Sequence, residues 1–208
     1  MKFPYGISDF AAIRLGNYFY QDRTGLIPAL EDTGRQVLFL RPRRFGKSLL
    51  LNMLENYYDL RRADDFDSLF GDLAIGQNPT PLRNHYVILR WDFSTIHCQG
   101  TTRQIEKALH EHLNDCIRDV AVMYASCLTI PVEINANNAL SSLHSLLTAV
   151  RKANHTVYLF IDEYDSFANE ILVANPSQYE TLMYGDGLFR TLFKAVKAAA
   201  SGLGLERV

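Results

Sequence analysis

The chain has 208 residues, 48% of them hydrophobic and 21% charged, with 11 Tyr and 12 Phe; that is enough apolar mass for one domain with a real core, which excludes a disordered chain. A net charge of -2 supplies no electrostatic basis for coating nucleic acid or an anionic membrane surface, and no run approaches the length of a membrane span. Cys98, Cys116 and Cys127 are odd in number and lack a C-x-x-C spacing, and MKFPYGISDF has no signal-like apolar stretch; both point to reduced thiols in a cytoplasmic protein.

Ser8 or Asp9 is placed to cap a helix through Leu15, and Thr24 to cap another through about Leu30. Asn17 to Tyr20 reads as extended. Gln36 to Leu40 (QVLFL) is a short apolar run followed by Pro42, as expected of a buried strand. After Lys47 the apolar positions Leu49, Leu50, Met53, Leu54, Tyr57 and Tyr58 recur at about four, which places them on one helical face. Arg61 to Gly71 suits a further short helix, and GQNPTPLRN a loop. Tyr86 to Asp92 reads as a second strand. Ile105, Leu109, Leu113, Ile117 and Val120 mark a long amphipathic helix, and Leu140, Leu143, Leu147 and Val150 another. VYLFIDEYD, Val157 to Asp165, is a buried strand ending in carboxylates. Leu188, Phe189, Leu192, Phe193 and Val196 mark the last helix, which Gly202 and Gly204 should already have ended. Strands alternating with helices imply an α/β fold with a mostly parallel central sheet covered on both faces.

Two of these junctions carry chemistry. FLRPRRFGKSLLLN, residues 39–52, runs from a strand end into Gly46-Lys47-Ser48 and a leucine run. A strand turning into a helix over a short loop gathers backbone N–H groups into one hollow, and the helix start adds partial positive charge, so phosphate binds there. Lys47 reaches the outer phosphates, Ser48 offers a hydroxyl to magnesium, and Gly46 lets the backbone approach closely. The first position, ordinarily glycine, is Arg41, and Pro42 fixes one backbone angle of the turn. Arg43 and Arg44 face either phosphate, solvent or a carboxylate elsewhere. The second junction is Asp162-Glu163. In a parallel sheet all strand ends point one way, which puts this pair on the ligand side. There Asp162 suits a magnesium ion and Glu163 an attacking water.

PYGISDF, YFYQDRTGLI, RPRRFGKSLLLNMLENYYD, FDSLFGDLAIG, LRWDFS, LFIDEYDSFAN and GDGLFRTLFKAVK, in this order over nearly the whole chain, resemble the predicted AAA-ATPase-like proteins, a branch of the P-loop ATPases. That family also carries Arg at the first loop position. The resemblance implies a P-loop NTPase three-layer sandwich over residues 1–208, with ATP held by Arg41, Pro42, Arg43, Arg44, Phe45, Gly46, Lys47, Ser48 and Leu49. It implies magnesium on Ser48 and Asp162, and catalysis by Glu163 with Lys47. A polar sensor strand is implied beside the strand bearing the acidic pair, and in longer members often a C-terminal nuclease-like domain. This chain stops at Glu206-Arg207-Val208, where the sensor strand should begin, so the expectation is a domain truncated before it. The functions in view are Mg-dependent ATP hydrolysis, a nucleotide-gated binding module that holds ATP or ADP with negligible turnover, and a truncated inactive remnant.

Other residues read more blandly. Arg190 suits a solvated helix position better than a phosphate contact, and Asp92 a loop cap at a strand end. Tyr20 to Thr24 either contribute to a base pocket or pack. His112 and Cys116, four apart on a helix, have a spacing that metals use, but no second pair accompanies them. His144 lies in a leucine-rich helix without a role.

Overall fold

The structure is a computed structural model, and it describes residues 2–40, 45–184 and 187–208. By packing the chain divides into two compact units, residues 1–88 and 89–208.

In the first unit, α1 (Phe10–Leu15) is capped by Asp9, whose carboxylate accepts from the Ala12 N–H. Thr24 does not cap the next helix as expected. It begins a single 3-10 turn ahead of α2 (Ile27–Asp32), and its fully buried hydroxyl donates to Asp22 and accepts from the Ile75 N–H. A hydroxyl withdrawn from water must be satisfied by whatever reaches it, and here that is a distant turn rather than its own helix. Next come α3 (Lys47–Tyr58), α4 (Phe66–Phe70) and α5 (Ala74–Gln77). Met53, Leu54, Tyr57 and Tyr58 form the buried face of α3. Phe10, Phe66, Phe70 and Tyr57 pack ring on ring at centroid separations of 4.9–6.1 Å, an aromatic core that buries large apolar area at fixed geometry.

The apolar run Gln36 to Leu40 departs from expectation. It takes no regular secondary structure, and Leu38 and Leu40 are 67% and 75% exposed. Five apolar residues are compatible with a buried strand, but a strand exists only where a neighbour supplies its ladder and helices cover its faces.

The three-stranded sheet has the order β1-β2-β3: β1 (Tyr86–Asp92), β2 (Thr156–Asp162) and β3 (Leu205–Arg207). β1 runs across the boundary of the two units at Ile88 and Leu89. Strands β2 and β3 pair in parallel, with Val157 opposite Leu205. Gly202 and Gly204, at φ +130° and +97°, end the preceding helix as expected and admit the turn into β3.

The second unit holds α6 (Thr102–Met123), α7 (Ala139–Lys152), α8 (Tyr164–Ala174), α9 (Pro176–Met183) and α10 (Leu188–Ala199). Helix α6 starts with a capping box between Thr101 and Gln104, and its buried stripe is the expected set Ile105, Leu109, Leu113, Ile117 and Val120. Phe93, Phe167 and Phe189 meet at 5.5–5.7 Å, fastening the turn after β1 to α8 and α10. Among the described residues, no helix is long and apolar enough to cross a membrane.

Candidate nucleotide site

Arg41, Pro42, Arg43 and Arg44 lie outside the described residues. The rest of the loop belongs to the first unit. Gly46 takes the left-handed conformation (φ +76°) in open space, where any other residue would be strained. Helix α3 starts immediately after it, and its N-cap, a glycine, has no side chain to cap that start. The first-turn amides of a helix are orphan donors and carry the positive end of its dipole. Phe45 is exposed, while Lys47, Ser48 and Leu49 are half-buried. Asn52, one turn further on, accepts from the Phe10 N–H at 2.7 Å and donates to Glu55, which holds α3 against the start of α1.

The acidic half belongs to the second unit. Asp162 ends β2 and is only 4% exposed. Its Oδ1 accepts from the Glu163 N–H at 3.1 Å, and its Oδ2 accepts from Arg90 Nη2 at 3.1 Å. Glu163 follows in the left-handed region, φ 56° and ψ 22°, and opens α8. A non-glycine residue there stores about 1–2 kcal/mol of strain, which is characteristic of side chains aimed for a task. The Ser166 hydroxyl donates to its carboxylate.

Arg90 was not singled out by the sequence pattern, although a signal was present: one cation inside the apolar run YVILRWD. A charge carried into a covered strand has to meet a counter-charge. Asp92 acts as the expected loop cap, its Oδ1 accepting from the Ser94 N–H and hydroxyl at 3.0 and 2.7 Å. Its Oδ2 also lies 3.9 Å from Arg90 Nη2.

Asp22 accepts from the Thr24 and Ala74 N–H groups, and burial pushes the Tyr20 hydroxyl up to about 12, so Tyr20 to Thr24 knit the first unit together. His112 Nε2 and Cys116 Sγ are 3.7 Å apart; burial lowers the pKa of the imidazole and pushes the thiol up to about 11, away from the thiolate that a metal needs. Arg190 is exposed on α10.

No group of three or more His, Cys, Asp or Glu suited to a metal occurs among the described residues. Magnesium bound with a nucleotide needs less from the protein: one or two oxygen ligands, the rest coming from phosphate and water. Ser48 in the first unit and Asp162 in the second each carry an oxygen donor of that kind.

Residues 4–206 match the family model described as Predicted AAA-ATPase. An uncharacterised protein from the vnfD 5′ region of Azotobacter chroococcum mcd 1 is 38% identical over 97 residues, covering 46% of this chain and 16% of the relative. The match therefore spans about a sixth of that longer protein. No solved structure matches. With its glycine-led helix start, its strand-end acidic pair and a family match over nearly its whole length, the chain belongs to the predicted AAA-ATPase family.

Proposed function

We propose that the chain binds ATP with magnesium and hydrolyses it, within a P-loop sandwich whose phosphate loop spans Arg41 to Ser48. The observation that carries this reading is the start of α3: a left-handed Gly46, then Lys47 and Ser48 in a first turn whose N-cap offers no side chain. Those amides and the Lys47 ammonium hold the phosphates. Ser48 and Asp162 would each offer an oxygen ligand to magnesium. Glu163 accepts a proton from the attacking water, and its left-handed backbone and the Ser166 hydroxyl fix where its carboxylate points. Magnesium, when bound, neutralises charge on the terminal phosphates. Turnover is coupled to an attached domain or partner, such as the nuclease-like domain of longer family members.

One observation favours a second reading, a nucleotide-gated switch with negligible turnover: both Asp162 oxygens are engaged by the chain itself. Binding of a fluorescent ATP analogue and release of phosphate divide the two. Lys47→Ala should abolish binding, and Glu163→Gln should keep binding while turnover falls on the order of a hundredfold or more, the scale of general-base catalysis. A Glu163→Gln variant hydrolysing at the wild-type rate refutes the assignment of Glu163. A wild-type chain that binds but does not turn over selects the switch.

A further inference from the structure

We infer that Arg90 is an internal counter-ion standing in for the metal on Asp162, and that metal binding hands Arg90 over to Asp92. The inference rests on the nucleotide reading, and it adds a step that the phosphate loop alone does not contain. Asp162 is 4% exposed, and a carboxylate so far from water is costly unless a cation or several donors compensate it. Its compensation comes from one backbone N–H on Oδ1 and the Arg90 guanidinium on Oδ2.

A divalent ion arriving at the same carboxylate meets that guanidinium. Like charges around one buried oxygen repel, so the two cations compete for Oδ2. The neighbouring strand residue provides the exit. Asp92 uses Oδ1 to cap the turn at Ser94 and presents Oδ2 to the same Arg90 nitrogen at 3.9 Å, against 3.1 Å for Asp162. The two separations differ by 0.8 Å (3.9 − 3.1). Arg90 thus keeps a carboxylate partner in both states, and its fixed fork suits it to bridge two of them. The bridge makes metal occupancy at Asp162 and the conformation of the β1 end two faces of one equilibrium, because a ligand that favours one state shifts the population of the other.

The test titrates magnesium into the full chain with a fluorescent ATP analogue at constant pH and reads the half-saturating magnesium concentration, not the rate. Arg90→Gln removes the competitor, so half-saturation should fall about five- to tenfold, the range of an ordinary coupling between sites. Asp92→Asn, at a partly exposed position, should raise half-saturation about threefold by removing the receiving carboxylate, again within ordinary coupling. An Arg90→Gln protein that melts lower but keeps its magnesium requirement within twofold overturns the inference and leaves the nucleotide reading standing. Should Arg90→Gln not fold, Asp92→Asn decides alone, and an unchanged or lowered requirement there also overturns it. A wild-type chain that binds no nucleotide at any magnesium concentration overturns the underlying reading, and the inference with it.

Discussion

The backbone at Glu163 offers a direct measure of what the acidic corner costs the fold. Its φ of 56° lies where a Cβ crowds the following carbonyl, at about 1–2 kcal/mol. Glu163→Ala keeps the Cβ and loses the Ser166 bond; Glu163→Gly loses the same bond and the Cβ together. Subtracting one from the other cancels the hydrogen bond and leaves two opposed effects. Relief of the left-handed strain favours Gly by about 1–2 kcal/mol, and the looser unfolded chain disfavours it by about 0.4–1 kcal/mol. The Gly variant should therefore be the more stable of the two by up to about 1.6 kcal/mol, with about 0.8 kcal/mol at the middle of both ranges, or roughly 2–3 °C in melting temperature for a chain of this size. Urea denaturation at pH 7, with equal slopes for both variants, reads this directly. An Ala variant more stable than the Gly variant would show that relief of strain at Glu163 is smaller than the unfolded-chain effect, and the argument that its side chain is held in place at a cost to the fold would fail.

Two further outcomes follow from the second unit. His110 Nδ1 accepts from the Ala139 N–H at 3.1 Å, and burial lowers its pKa, with Glu106 opposing. Its folded pKa lies below its unfolded one, so the unfolded chain takes up the proton first, and stability should fall as pH drops below about 6.5. In urea titrations from pH 7.5 to 5, His110→Gln should flatten that decline; a slope unchanged from wild type would show that His110 does not titrate with folding. Thr101→Ala removes the hydroxyl half of the α6 capping box and should cost about 1 kcal/mol in the same assay, whereas a loss below the scatter would mean that the cap is replaced by water at no net cost.

Much of this molecule was legible one segment at a time. The strand Tyr86–Asp92 and the helices over Thr102–Met123 and Ala139–Lys152 follow from hydrophobic spacing, because a period of two or of 3.6 residues already states which face will be buried. The start of α3 at Lys47 and the end of β2 at Asp162 were marked by abrupt changes between charged and apolar residues. The run QVLFL was misread for a complementary reason: its hydrophobicity is local, but a ladder is supplied by another part of the chain. The short helices α8 and α9 were not foreseen, since the Asn, Asp and Ser residues along Tyr164–Met183 weaken a helical pattern that packing then restores.

By itself, the sequence determined the chemical inventory: a Gly-Lys-Ser helix start, an Asp-Glu pair at a strand end, and the order of elements that carries them. Tertiary structure decided which charges meet. The approach of Arg90 to Asp162, 72 residues apart in sequence, depends on β1 and β2 being neighbours in the sheet, and the left-handed turn at Glu163 follows from how α8 leaves the strand. The physical reason is that charge pairing and backbone strain are settled by distance through space, which a one-dimensional pattern does not contain.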